Sequence, residues 1–442
     1  MAEIAPFRAL RYSPERISFI SRVAAPPYDL IEPEQAEVLR ESDPHNVIRL
    51  ILGKEGPQRR PDTEYRQAAD TLAAWRREGV LVLDEAPAIY LCEQTFILDG
   101  MQHVRHGVIC AMLLEEFASG RVLPHERTMA GPKADRLRLM EACRTSLSQV
   151  FGVFSDTAGR ADALLRGLAT DSALYEFRQA DGVAFRVWRV DDAEALRELR
   201  SLLRSEIVFI ADGHHRYEAA LRYRDLHRPA EAPPGSVPED FLPIFCVSVR
   251  NTGLKILPTY RLVQAPECFD AAAFQEALAR RFATEVRNIP NTGALKQALR
   301  ELHQEYGWIA CHVRPQQLLV LKPASAKALD DVLPPRSPVW RGLPVAQLHY
   351  GILQPLFGIQ AESEVVQPRL AFSQDAERMY WQVESRRYDA AFYLPPIQPA
   401  TVEAIARAGE RMPAKSTFFY PKICTGLAFF PFEPANCPRL AP

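Results

Sequence analysis

The chain has 442 residues, and 53 Lys and Arg against 55 Asp and Glu leave a formal charge of −2. Hydrophobic residues at 47% and charged residues at 24% exclude disorder over most of its length, and the balanced charge excludes a global basic field for nucleic acid. No apolar run approaches the roughly 20 residues that span a bilayer, and Met1 to Ser21, with Glu3, Arg8, Arg11, Glu15 and Arg16, lacks the apolar stretch of a signal peptide.

At about 150 residues per domain, the length predicts two or three domains. The eight cysteines, at 92, 110, 143, 246, 268, 311, 424 and 437, form no C-x-x-C pair. They read as reduced, mostly buried thiols of a cytoplasmic protein, and they predict no zinc site. Proline, at 36 residues against 21 glycines, exceeds the usual share of about 5%. Its scatter (Pro26-Pro27, Pro233-Pro234, Pro334-Pro335, Pro395-Pro396) predicts many fixed loops on a folded scaffold, where sites tend to lie.

In chain order, Pro33 to Arg40 opens with proline in a first helical turn and predicts a short helix. Tyr65, Ala69, Leu72 and Trp75 recur at helical spacing within Asp62 to Glu78, and Gly79 follows as a stop. Val80 to Leu83, Ala88 to Leu91 and Gly107 to Leu114 read as strands. Another strand, Ile207 to Ile210, runs into Asp212-Gly213-His214-His215 and a helical stretch from Arg216 to Asp225. Pro229 to Asp240 is a polar, Pro-rich break before strand-like Leu242 to Val249. A domain boundary is expected between Val263 and Ala272. Beyond it, Asp270 to Phe282 and Thr401 to Ala408 read as helices and Leu318 to Leu321 as a buried strand.

Four clusters carry the candidate chemistry. The first is Ala211-Asp212-Gly213-His214-His215-Arg216-Tyr217-Glu218. A strand end, a glycine turn and a helix start converge backbone N–H groups on one point, which favours an anion. Gly213 permits close approach to the backbone, and Arg216 adds a forked phosphate donor. The histidines add donors or a proton-transfer group, and Asp212 offers a contact for Mg²⁺ or a hydroxyl. The same residues also read as a capped polar turn.

The second cluster is Pro124-His125-Glu126-Arg127-Thr128 with Lys133, Asp135 and Arg136. It reads as a fixed loop rather than a helix face, and an acid and a base beside cations suit phosphoryl transfer. A solvated surface loop is the alternative. The third, Met412 to Lys422, places Lys415, Ser416, Thr417 and Lys422 around Phe418-Phe419-Tyr420. It is either a phosphate- or carboxylate-binding loop or a strand with Phe418 and Tyr420 in a core. The fourth joins a rigid loop, Ala25-Pro26-Pro27-Tyr28-Asp29, to a strand over Asn46 to Leu50. Walker, Rossmann and G-x-S-x-G signatures are all missing from the sequence.

Taken together, APPYD, NVIRL, LPHERT with PKADR, ADGHHRYEAA, LPTYRL and MPAKSTFFYPKICTGL resemble the family called domain of unknown function 1015, from about Ala25 to Leu427. One departure is Tyr260, where the family usually shows histidine. The DGHHR turn is similar to that of free-serine kinases of the ParB/sulfiredoxin-like fold. That resemblance implies a mixed α/β (α+β) chain with a ParB/sulfiredoxin-like nucleotide-binding core over residues 1–265 and a second α/β lobe over 266–442.

It also implies a small-molecule kinase that uses ATP or ADP with Mg²⁺ to phosphorylate free L-serine or a similar hydroxylated metabolite. Asp212, the tentative Mg²⁺ contact, would orient the hydroxyl or the metal. Gly213, His214, His215 and Arg216 would hold phosphates, joined by Lys415, Ser416, Thr417 and Lys422. Glu126, with His125 beside it, is the expected acceptor of the substrate proton, a choice that comes from the second cluster and not from the kinase resemblance. Neither nucleic acid nor membrane is an expected partner. The alternative is a nucleotide-gated binding protein without kinase activity. A sulfiredoxin-like redox enzyme is disfavoured because no cysteine lies in the turn.

Overall fold

A computed structural model describes residues 3–53, 61–126, 128, 130–156, 158–266, 270–360 and 368–440; Arg127 and Cys268 lie outside them. The chain is mixed α/β and divides into two compact units. Unit 1 comprises Met1–Pro124, Met129–Lys255 and Pro421–Pro442, and unit 2 comprises His125–Thr128 and Ile256–Tyr420.

Among the described residues, unit 1 is built on a nine-stranded mixed sheet. Its centre is Phe241–Ser248, buried along its whole length. Such a strand, hidden on both faces, needs a nearly continuous apolar run, and FLPIFCVS supplies one. It pairs parallel to Val150–Phe154 and antiparallel to Met101–Leu113. Met101–Leu113 forms a hairpin with Ile89–Leu98 across Asp99 and Gly100, both at positive φ. Asp-Gly is the dipeptide that a two-residue hairpin of this twist prefers. Beyond Val150–Phe154 lies Val208–Asp212, the strand that carries the first cluster.

Two helices, Ala130–Cys143 and His214–His227, pack against each other beside this sheet. Lys133 meets Glu218 at 2.9 Å, and His227 meets Glu141 at 3.1 Å across the same seam. The helix at Ala130–Cys143 corrects the expectation of a loop through Lys133, Asp135 and Arg136. Its Gly131 and Pro132 stand in the first turn, where proline gives up only an N–H that a helix start leaves unpaired. Asn46 to Leu50 is likewise not a strand: Ile48–Ile51 is a short helix. Asn46 Oδ1 accepts from the Ile48 N–H at 2.9 Å, which favours a turn over an extended chain.

Unit 2 is built on a six-stranded antiparallel sheet in the order Phe282–Asn288, Gln317–Pro323, Ile309–Arg314, Ala390–Tyr393, Tyr260–Val263, Leu370–Ser373. Helices Thr292–Leu302 and Ala376–Glu384 supply Leu295, Leu299, Met379 and Val383 to a core with Trp308, Val320 and Tyr393. No helix among the described residues is long and apolar enough to cross a membrane.

Candidate functional site

The strand Val208–Asp212 loses its regular pairing with Val150–Phe154 between Ile210 and Asp212. An extra residue there, Ala211, is a bulge, and a bulge re-aims the side chain that follows it. That side chain is Asp212. Gly213 then takes φ +87°, a left-handed conformation that a residue with a Cβ adopts only at a cost, and the helix His214–His227 begins.

Both oxygens of Asp212 hold cations. Oδ1 accepts from Lys422 Nζ at 2.6 Å, and Oδ2 accepts from Arg216 Nη2 at 2.6 Å. The Lys422 and Arg216 side chains are 10% and 8% exposed, so these pairs are only partly screened by water. Arg216 also donates to the Gln149 carbonyl, which fixes its plane. His214 is buried and His215 half-buried at the helix start.

Lys422 is held from behind. Gln94 Nε2 donates to its carbonyl at 3.0 Å, and Arg105 donates both to Gln94 Oε1 and to the Pro421 carbonyl. Arg105 is fully buried, with its guanidinium 4.8 Å from the Phe151 ring centroid and 5.6 Å from that of Phe245. No local motif singles out Gln94 or Arg105. The only sequence signal is a charged residue inside an apolar strand.

Unit 1 also contains a cavity of about 340 Å³, lined by Tyr28, residues 49–53 and the helices Pro61–Arg77 and Ala130–Cys143. The Arg136 guanidinium lies 4.0 Å from the Tyr28 ring centroid, donates to the Ile51 carbonyl at 3.0 Å, and grips Asp135. Asp135 in turn accepts from Tyr65 at 2.7 Å. Burial pushes the Tyr28 phenol up to about 12, and the cations of Arg136 and Arg216 pull it the other way. A smaller hollow shares Ile51, Arg136 and Leu139 with this cavity and extends to Arg216. The fourth sequence cluster thus meets the PKADR residues here.

Unit 2 gathers the remaining candidates. Glu126 Oε1 accepts from both the amide and the hydroxyl of Thr417, each at 2.8 Å. The Thr417 hydroxyl also lies 2.8 Å from His125 Nε2. A single hydroxyl proton cannot serve both neighbours. Ionised Glu126 can only accept, so the consistent arrangement runs from His125 Nε2–H to Thr417 to Glu126. Met412 donates its amide to the His125 carbonyl at 2.8 Å, and Ser416 closes the turn by donating to the Pro413 carbonyl. Lys415 holds φ +57°, and its carbonyl accepts from Arg261 at 3.0 Å.

Arg261 is fully buried, and burial pushes its guanidinium down to about 9 against the pull of Glu126. Phe418–Tyr420 is a strand. The Met412 to Lys422 segment is therefore divided: Lys415, Ser416 and Thr417 belong to unit 2, and Lys422 belongs to unit 1.

A metal fits only in a limited way. Among the described residues, no group of three His, Cys, Asp or Glu side chains is placed to hold an ion. Mg²⁺ needs no such cage, because it commonly binds one or two carboxylates and completes its shell with water and phosphate. Asp212 is the carboxylate that fits that pattern.

Comparison with known proteins gives one family and several remote structural likenesses. The family model described as "Protein of unknown function (DUF1015)" matches residues 4–346. No curated protein matches the chain. A conserved hypothetical protein from Pyrococcus furiosus is similar at a TM-score of 0.34 and 12% identity, covering 73% of this chain and 94% of that one. A free serine kinase in complex with AMP is similar at 0.34 and 11%, with coverages of 73% and 91%. A C-terminally truncated SbnI from Staphylococcus aureus is similar at 0.33 and 11%, with coverages of 72% and 86%.

Proposed function

The chain belongs to the DUF1015 family, and from that premise we propose that it is a small-molecule phosphotransferase working at the Asp212 turn. The observation that carries this reading is the pair of cations on one carboxylate, Lys422 and Arg216 on Asp212, beside Gly213 and a helix N-terminus. Phosphate oxygens compete directly for those two cations, and the first backbone N–H groups of the helix add donors. His214 and His215 lie in the same first turn.

The donor is ATP or ADP, and the acceptor is the hydroxyl of free L-serine or a similar metabolite. As the hydroxyl oxygen bonds to the terminal phosphorus, the bridging P–O bond to the donor breaks and ADP or AMP leaves. Within unit 2, Glu126, fixed by Thr417 and accompanied by His125, is our acid–base candidate. Lys415 and Ser416 belong to the same turn. Catalysis comes mainly from alignment and charge neutralisation. Asp212 would be the residue to hold a Mg²⁺ ion brought in with the nucleotide, and that ion would supply further charge neutralisation. The seven free cysteines among the described residues suit a reducing compartment such as the cytoplasm.

Phosphorus NMR of the purified chain with serine, Mg²⁺ and either nucleotide tests the reading. Phosphoserine should accumulate, and Asp212→Ala, assayed below its lowered melting temperature where it is still folded, should slow it by about 10²–10³-fold. Equal turnover in that variant overturns the mechanism. One observation favours a second reading, a nucleotide-gated switch: Asp212 already has both oxygens engaged by cations. Calorimetry separates the two, because a switch binds nucleotide without serine-dependent turnover.

A further inference from the structure

The cavity of unit 1 is too large for a lone anion. At about 340 Å³ it falls in the range that encloses a whole small-molecule ligand. Its walls divide by chemistry. Leu52, Ala68 and Leu139 make an apolar slot between the helices Pro61–Arg77 and Ala130–Cys143. Glu64 and Asp135 bring carboxylates to the lining; Asp135 already accepts from Tyr65 and Arg136, and a carboxylate keeps lone pairs beyond those two for sugar hydroxyls or a ring amino group. At the remaining wall the Arg136 guanidinium covers the face of Tyr28, and the smaller hollow carries that cationic side on to Arg216.

An apolar slot with acceptors, sharing the Arg136 wall with a small hollow that reaches Arg216, suits a nucleoside carrying a phosphate chain. We propose that this cavity binds the base and sugar of the phosphoryl donor, with the phosphates leaving past Arg136 towards Arg216 and Lys422. The proposal rests on the phosphoryl-transfer reading and adds where the nucleoside sits. A free amino acid is the competing occupant, since Arg49 and Glu64 also offer charges to a zwitterion. Serine would fill only a small part of the space and leave the apolar slot unoccupied.

Ala68→Phe fills the slot from a buried helix position remote from Asp212 in sequence. Calorimetry then compares ADP, serine and inorganic tripolyphosphate, each with Mg²⁺, on the wild type and the variant. The expected result is a loss of ADP affinity of about 30-fold or more with tripolyphosphate binding unchanged. If ADP and tripolyphosphate both bind the variant as they bind the wild type, the cavity assignment is wrong and the phosphate turn stands. If serine binding is lost and ADP binding is kept, the occupant is the amino acid and the assignment is wrong. If the wild type binds neither ADP nor tripolyphosphate, the phosphoryl-transfer reading fails and this proposal with it. Should A68F not fold, Glu64→Gln carries the test: a drop of about tenfold for ADP alone supports the proposal, and an unchanged affinity overturns it.

Discussion

Lys422 and Asp212 meet at 2.6 Å although 210 residues separate them. The pair is one arm of a three-residue arrangement in which a carboxylate holds an amine and a guanidinium at a fixed distance from a helix start. A polyphosphate binding there exchanges one set of charge-assisted contacts for another, so the two cations are oriented before it arrives. Lys422→Met should therefore weaken tripolyphosphate binding by about tenfold to a hundredfold. The salt dependence of binding should fall with it. Titrations at two ionic strengths read both effects, and an unchanged affinity would remove Lys422 from the site.

Gly213 has two reasons to lack a side chain. Its φ of +87° disfavours any Cβ, and a Cβ there would stand 2.9 Å from the Arg216 guanidinium carbon. Gly213→Ala should cost about 1–2 kcal/mol in stability. It should also push Arg216 off Asp212. Urea unfolding measures the first effect, and tripolyphosphate affinity measures the second.

Arg105 satisfies Gln94 and the Pro421 carbonyl in a fully buried position. Arg105→Leu removes the donor and leaves two acceptors buried without it, each costing about 1–3 kcal/mol. The midpoint of urea unfolding should fall at constant slope. A variant as stable as the wild type would show that the Pro421–Lys422 backbone does not depend on this clamp.

His349 is buried, neither ring nitrogen has a hydrogen-bond partner among the described residues, and Arg261 is close enough to oppose its protonation. Burial and that cation hold the folded imidazole well below its ordinary value of 6.5. The unfolded chain therefore takes up this proton first as pH falls. The stability it contributes is complete above about pH 6.5 and is lost below it at about 1.4 kcal/mol per pH unit, until the folded value is reached. His349→Leu should flatten that part of the profile, read by urea unfolding at pH 7 and pH 5. Parallel profiles for the two proteins would count against this account.

Much of unit 1 was legible where one segment decides its own conformation. The apolar run before Asp212 announces a strand, and the Asp-Gly pair at 99–100 fits its hairpin. The four-residue step from Asp212 to Arg216 spans the glycine turn and first helical turn, where side chains meet. Two helices misled. Helix Ala130–Cys143 turns Arg136 and Leu139 to a cavity and Lys133 to Glu218, so it shows no clean apolar stripe. Ile48–Ile51 is one turn long, below what periodicity can register. The engagement of Lys422 by Asp212 and Gln94, and of the Pro421 carbonyl by Arg105, left no local trace, because each partner is distant in sequence and chosen by the tertiary fold.

The division of the chain between its units also sets an order of assembly. Arg105 precedes its Pro421 acceptor by 316 residues, and Phe430–Pro431 closes a two-strand ladder on Thr145–Ser146. A ribosome that has just finished Lys255 has made the nine-stranded sheet but not the strand, the acceptors or the lysine that complete unit 1. Its buried arginine and the Asp212 carboxylate must wait while all of 256–420 is synthesised. A fragment cut at the linear boundary would retain the phosphate turn without the lysine opposite it.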